Sequence, residues 1–517
     1  MLEVILIMEK QSLIKGTIVL GIAGIATRFL GLFFRWPLIM LIGDEGVGYY
    51  QMAYPLYMFF IAMASGVPVA MSKLIAEKNA INDKNGIHDI IRKSLLLMIV
   101  LGGGFSAFLF FNSNLLINIF QWDKKSLLSL KAMAVAPIFI ALLSVFRGTF
   151  QGMQNMTPTA VSEIIEQIGR VLIGVGLAIL LLPKGIEFSA AGATLGAAAG
   201  GLAGAIYLLY QFFKTIGLQR SRTPINSEVL NRILYTAIPI SLGATVGTIM
   251  SLIDSIIVPR KLLLAGFTAK QATILYGQLT GKAYVLINVP LTLSIALSAT
   301  LVPVIAEQYF LKNMKVVKRK VDTAMTLSSV IALPSLCGLY FMSEPIFTLI
   351  FPGRSQGDLL LKYLALSIPF IIMAQITTAI LQSTGKYIAP VVNLSIGCLI
   401  KIIVSTLLIP IKSINIFGAI IGTIMGYVVA CTLNLLILNR ELKVKIDLFK
   451  LNLRPVVASL IMTLGVVIIN YYVYNITKSL GISCIISIFL GAIIYIALIF
   501  RLGILKEKDF VKRERAK

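Results

Sequence analysis

Residues 47–77 read VGYYQMAYPLYMFFIAMASGVPVAMSKLIAE, and residues 273–308 read TILYGQLTGKAYVLINVPLTLSIALSATLVPVIAEQ. A helix of about 20 apolar residues crosses a bilayer, so each stretch spans a membrane with length to spare. Each also carries two prolines, Pro55 and Pro68 in the first and Pro290 and Pro303 in the second. A proline removes a helical hydrogen bond, which predicts a kink or break facing protein or a cavity. The two stretches share their ends. Tyr49-Tyr50-Gln51 and Ile75-Ala76-Glu77 bound the first; Tyr276-Gly277-Gln278 and Ile305-Ala306-Glu307 bound the second, 227 to 230 residues later. The spacing recurs downstream, where Gln151, Pro158 and Arg170 stand against Gln382, Pro390 and Lys401 at an offset of about 231.

Working outward, apolar runs fall at 14–42, 47–77, 90–112, 127–152, 158–182, 188–213, 231–258, 273–308, 320–343, 359–383, 387–410, 415–438, 454–474 and 480–503. The expected fold is an all-α integral membrane protein of about fourteen transmembrane helices. The runs are too long and continuous for the alternating strands of a membrane barrel. The offset makes spans 1–6 and 7–12 two copies, with spans 13 and 14 added. Six is an even number, so the copies share one orientation. Parallel repeats of this kind place a substrate site between them near the bilayer midplane. The expected organisation is a cytoplasmic N-terminus at 1–13, an N-lobe at 14–213 and a linker at 214–230. A C-lobe follows at 231–438, then a basic loop at 439–453, the added pair at 454–503 and a basic tail at 504–517.

Composition agrees. The chain of 517 residues is 58% hydrophobic and 13% charged, where a soluble domain carries roughly a quarter charged residues. The formal charge of +24 lies between apolar runs, as topology signals do, so no nucleic-acid partner is expected. With the N-terminus inside, inner segments hold about 29 of the 46 basic residues, and the positive-inside rule orients both termini to the cytoplasm of a multi-pass cell-membrane protein. Cys337, Cys398, Cys431 and Cys484 lie in apolar runs without paired spacing, so neither a metal site nor a disulfide framework is expected. No cofactor is expected, and the protein is expected to be a monomer in the lipid bilayer. Met8-Glu9-Lys10-Gln11 reads as the start of the chain, and Met1 to Ile7 is too short for a signal-peptide core.

Seven basic residues fall inside spans: Arg28, Arg35, Lys131, Arg147, Arg170, Lys282 and Lys401. Each costs roughly 2.5–3.5 kcal/mol at a helix centre. Lys131 and Arg147 lie near helix ends and can snorkel. Arg28, Arg170 and Lys401 sit mid-span and are expected to face the interior. Arg28 and Arg35, seven apart, share a helix face. Arg170 has Glu166 four residues earlier, with Glu163 nearby, so an intrahelical ion pair competes with a substrate role. The interior is net basic, which suits an anionic substrate such as a phosphate or pyrophosphate head group, since Arg binds phosphate oxygens bidentately. Expected substrate contacts are Arg28, Arg35, Arg147, Arg170, Lys282 and Lys401, with Glu163 and Glu166 as charge partners. No catalytic residue is expected.

Several motifs now carry a resemblance. They are Lys15-Gly16-Thr17, Arg28-Phe29-Leu30-Gly31, the run Gly43-Asp44-Glu45-Gly46 into Tyr49-Tyr50-Gln51, Gly66-Val67-Pro68, Phe146-Arg147-Gly148-Thr149-Phe150-Gln151-Gly152 and Tyr276-Gly277-Gln278. Together they resemble the stage V sporulation protein B family, which is similar to the MurJ-type lipid II flippases within the multidrug/oligosaccharidyl-lipid/polysaccharide exporter superfamily. The resemblance implies two six-helix lobes, a central cationic cavity and a groove from spans 13 and 14 for a lipid tail. It implies flipping of an undecaprenyl-pyrophosphate-linked cell-wall precursor, with Arg28 and Arg35 as substrate contacts and Arg147 inside a family motif. The MurJ-type proteins carry an acidic residue and an arginine in span 2; here Tyr49, Tyr50 and Gln51 stand instead, so the resemblance carries no head-group contacts over to that span. Competing readings are a flippase for other lipid-linked oligosaccharides, a cation-coupled drug exporter using Glu163 or Glu166, a membrane glycosyltransferase using Asp44-Glu45, and a non-transporting scaffold.

Overall fold

A computed structural model describes residues 13–215, 227–442 and 448–504. The Met8 start, Arg220, Arg222, Lys443, Lys445 and the tail beyond 504 lie outside the described residues, as does the side chain of Arg28. Helices make up the described chain, and it contains no strand. Lipid offers the backbone no hydrogen-bond partners, so long apolar segments must close their bonds within a helix.

Eleven helices are long and apolar enough to cross a membrane. Two further spans are bent pairs, Glu228–Thr245 with Gly247–Leu264 at 51° and Asp358–Ala365 with Ile368–Ser383 at 46°. The stretch Val19–Ala80 is 62 residues long, or about 93 Å at 1.5 Å per residue, three times a hydrocarbon core of about 30 Å. It holds two crossings, divided at Gly43, whose φ of 65° and ψ of −171° interrupt the helix. That backbone conformation favours glycine, which has no Cβ to clash. Counted this way, the crossings coincide with the fourteen apolar runs.

The long spans break as follows. Span 2 is interrupted at Ser65 and resumes as Gly66–Ala80. Pro68 sits in the first turn of that helix, where its missing N–H costs nothing. Span 8 leaves α-helical geometry away from its prolines. Ala269–Gly277 passes through a π-helical segment, Gln278–Ala283, into Tyr284–Phe310, which keeps Pro290 and Pro303 inside.

By contacts the chain divides into two compact units, Met1–Leu263 with Phe267–Gly277, and Leu264–Gly266 with Gln278–Lys517. The boundary therefore falls at the π segment, and the Ser227–Leu264 helix groups with the first unit. In that unit, Thr157–Leu181 and Ile186–Thr215 meet along small residues. A Cβ added at Gly196 would stand 2.7 Å from Gly174 Cα and 2.8 Å from the Arg170 carbonyl oxygen. Small residues let membrane helices approach this closely, and here the approach fixes the helix that carries Glu166 and Arg170. In the second unit the pair Ile388–Leu408 and Phe417–Leu442 repeats the device, with a Cβ at Gly426 falling 2.8 Å from the Gly397 carbonyl oxygen. The added spans, Leu448–Thr477 and Leu480–Arg501, pack through Ala458, Met462, Val466, Cys484, Tyr495 and Ile499.

Candidate substrate site

The first unit assembles a buried charge cluster from three helices. Arg147, near the end of Ala136–Gly152, donates from Nη2 to Glu166 Oε2 at 3.0 Å and from Nε to Ser162 Oγ at 3.0 Å. Arg170 donates from Nη2 to Glu166 Oε1 at 3.1 Å and to Tyr57 Oη at 3.0 Å. The intrahelical pair left open by the spacing is therefore present, but Glu166 also bridges to Arg147. Arg147 does not snorkel; it turns inward because Ser162 and Glu166 face it from the next helix. One carboxylate serves two guanidinium groups, and Arg170 Nε is buried without a partner among the described residues. Burial of this kind makes each partner depend on the others: breaking a buried ion pair costs about 3–5 kcal/mol.

Span 2 supplies an aromatic wall beside this cluster. Tyr50, Tyr54 and Tyr57 lie at i, i+4 and i+7, so they share one helix face. Ring centroids are 5.4 Å apart for Tyr50 and Tyr54 and 5.9 Å for Tyr54 and Tyr57. A guanidinium caps each end of the Tyr54–Tyr57 pair: Arg35 lies 5.9 Å from the Tyr54 ring centroid and Arg170 lies 5.8 Å from that of Tyr57. Cations over aromatic faces are attracted by the ring quadrupole. Span 2 thus contributes rings that hold arginines from spans 1 and 5, rather than charges of its own. The tyrosine spacing is visible in the sequence and is the signal that points to this wall.

The remaining candidates divide. Arg35 is half-buried, and the Arg28 backbone lies two turns before it in Leu13–Ala64. Glu163 is half-buried one turn before Glu166. In the second unit, Lys282 is fully buried in the π segment. It donates from Nζ to the carbonyls of Arg354 at 2.7 Å and Gln356 at 3.2 Å, and it lies 5.5 Å from the Phe351 ring centroid. Its ammonium ties the π segment to the 351–357 loop. Lys401 is 1% exposed, which places it inside the protein and away from lipid. Lys131 reaches the Phe110 ring at 5.7 Å. Asn434, a neutral residue that no charge pattern in the sequence marks, accepts from Asn393 Nδ2 at 2.9 Å and donates to Thr377 and Thr378, each at 3.1 Å. At the repeat offset of 231, Arg147, Ser162, Glu166 and Arg170 correspond to Thr378, Asn393, Gly397 and Lys401. The basic position recurs in both units, while the carboxylate and the second arginine belong to the first alone. Of the acidic pair Asp44-Glu45, Glu45 accepts from Tyr49 at 2.9 Å and pairs with Lys270 at 3.0 Å, which gives it a packing role.

A family model described as polysaccharide biosynthesis protein matches residues 13–309. The chain belongs to this family. Stage V sporulation protein B of Bacillus subtilis (strain 168) is 31% identical over 450 residues, covering 85% of this chain and 86% of the relative. Lipid II flippase MurJ of the same organism is 26% identical over 530 residues, covering 96% of each. A solved structure of lipid II flippase MurJ in an inward closed conformation has a TM-score of 0.72 at 18% identity, over 93% of this chain and 98% of that one; the two share a fold. The family membership agrees with the motif resemblance, and with a multi-pass transporter of the multidrug/oligosaccharidyl-lipid/polysaccharide exporter superfamily rather than an enzyme.

Proposed function

We propose that this protein moves an undecaprenyl-pyrophosphate-linked cell-wall precursor from the inner to the outer leaflet by alternating access, in the service of spore cortex peptidoglycan. The observation that carries the reading is the net basic cluster of Arg35, Arg147 and Arg170 beside Glu166 and the tyrosine wall. Guanidinium groups match diphosphate oxygens, and tyrosine faces and hydroxyls suit sugars and peptide. The relatives named for lipid II flipping and sporulation support the substrate class. Arg28 and Lys401 are proposed as further contacts, the prenyl chain stays in lipid along spans 13 and 14, and both termini face the cytoplasm. A potential negative inside favours outward movement of an anion by about 2.3 kcal/mol per charge per 100 mV. Two charges would gain roughly 4–5 kcal/mol if they crossed the full field. The drug-exporter reading is weakened because Glu166, one of its two interior carboxylates, already bridges two arginines.

The test is depletion in cells with lipid II measured on the outer leaflet. Loss of outer-leaflet precursor on depletion, reproduced by Arg28→Ala or Lys401→Ala at normal abundance, is expected. Unchanged outer-leaflet precursor refutes the proposal.

A further inference from the structure

We propose that Glu166 is an internal stand-in for the substrate's diphosphate, bridging Arg147 and Arg170 in the resting site and yielding to the incoming head group. This inference rests on the flippase reading and assigns Glu166 a selectivity role within it. The bridge has the required shape: its two oxygens go to different arginines, Oε2 to Arg147 at 3.0 Å and Oε1 to Arg170 at 3.1 Å. A diphosphate offers oxygens at a similar or wider spacing and carries more charge, so it can take both guanidinium groups at once. The site also has unused donor capacity. Arg170 is 9% exposed, and its Nε is buried with no partner among the described residues.

The two repeats differ at this cluster. The corresponding positions in the second unit are Thr378 for Arg147 and Gly397 for Glu166, with Lys401 retained for Arg170. The additional arginine and its carboxylate occur together in one unit. They form a neutral pair at rest and expose two guanidinium groups when the carboxylate is displaced. A head group with one negative charge gains less than it must overcome to displace Glu166, so the bridge favours diphosphate-linked over monophosphate-linked lipids. It also returns when substrate leaves, which speeds release.

The experiment uses the full chain in proteoliposomes, with a polyprenyl-diphosphate-linked sugar and a polyprenyl-monophosphate-linked sugar as probes. Kd and turnover are measured for each. Glu166→Gln keeps the size and one acceptor oxygen but removes the competing charge. The expected result is binding of the diphosphate lipid tighter by about tenfold, slower turnover, and measurable binding of the monophosphate lipid. Glu166→Asp keeps the charge but shortens the reach by one methylene, and its Kd should fall between the two. Melting temperature in detergent is measured for both variants. Unchanged or weaker binding in the folded variants overturns the inference, because a purely structural carboxylate cannot strengthen binding when it is removed. Loss of fold in both variants also overturns it, since a carboxylate that the fold cannot spare cannot yield to a substrate. Wild-type protein that binds neither lipid refutes the flippase reading itself, and with it this inference.

Discussion

Gly196→Ala is a one-carbon perturbation aimed at the scaffold of the charge cluster rather than at any charge. The new Cβ would stand 2.7 Å from Gly174 Cα and 2.8 Å from the Arg170 carbonyl oxygen. Comfortable carbon contacts are about 3.5–4.0 Å, so the two helices must part by about 1 Å. Both obstructing atoms are backbone, so no side-chain rotation relieves the overlap. Overpacking of this kind costs about 1–3 kcal/mol. A 1 Å shift of Thr157–Leu181 would also stretch the 3.0 Å Arg147–Glu166 and Arg170–Tyr57 bonds past hydrogen-bonding range. Gly176→Ala is the control on the facing helix, since a Cβ there meets nothing within 4 Å. Thermal unfolding in detergent and precursor translocation in proteoliposomes should both fall for Gly196→Ala and stay near wild type for Gly176→Ala. Equal behaviour of the two variants refutes the claim that close helix approach holds the cluster.

Other perturbations separate structural from substrate-handling roles. Glu166→Ala strands two buried guanidinium groups and should destabilise by about 3–5 kcal/mol in denaturant or thermal titration; adding Arg147→Thr should recover part of that loss. Lys282→Met removes a charged donor from two carbonyls, each bond worth about 1.5–3 kcal/mol, so it should lower the melting temperature. Tyr57→Phe removes the hydroxyl that accepts from Arg170 and should cost about 1 kcal/mol of stability while weakening substrate binding measured by titration. At the start of Lys84–Phe111, Asp83 accepts from Lys78 and from the Gly86 N–H, each at 2.8 Å, and these bonds hold its carboxyl below the usual 3.8. A depressed pKa means the cap stabilises above the unfolded value and is lost as pH falls through the folded one. Hydrogen exchange at that helix start should therefore accelerate on acidification below about pH 4, and Asp83→Ala should abolish the dependence.

The span pattern is legible in the sequence because lipid enforces it: every apolar run of sufficient length has a helical counterpart. The break at Gly43 is legible too, since a glycine followed by Asp44-Glu45 interrupts two apolar runs. The π-helical turn in span 8 is not. Pro290 and Pro303 draw attention, yet they stay inside Tyr284–Phe310, and the irregular turn forms at Gln278–Ala283. Proline is tolerated in a membrane helix when neighbours re-satisfy the freed carbonyl, and sequence spacing does not reveal the neighbours. The cluster is half legible. Glu166 and Arg170 lie one turn apart and announce their pair. Arg147 is 19 residues from Glu166, and its position near a helix end is equally compatible with snorkelling; only the packing of three helices decides. Lys282 shows the converse. Its intramembrane charge suggests substrate, but its donors are occupied by the 351–357 loop.

The most direct measurement is translocation of a polyprenyl-diphosphate-linked sugar in proteoliposomes carrying a membrane potential, read by a membrane-impermeant enzyme that modifies only lipid exposed on one face. Wild-type protein should expose the precursor, with a rate that rises with potential, and Arg170→Met of comparable melting temperature should not. Translocation by Arg170→Met at the wild-type rate contradicts the account.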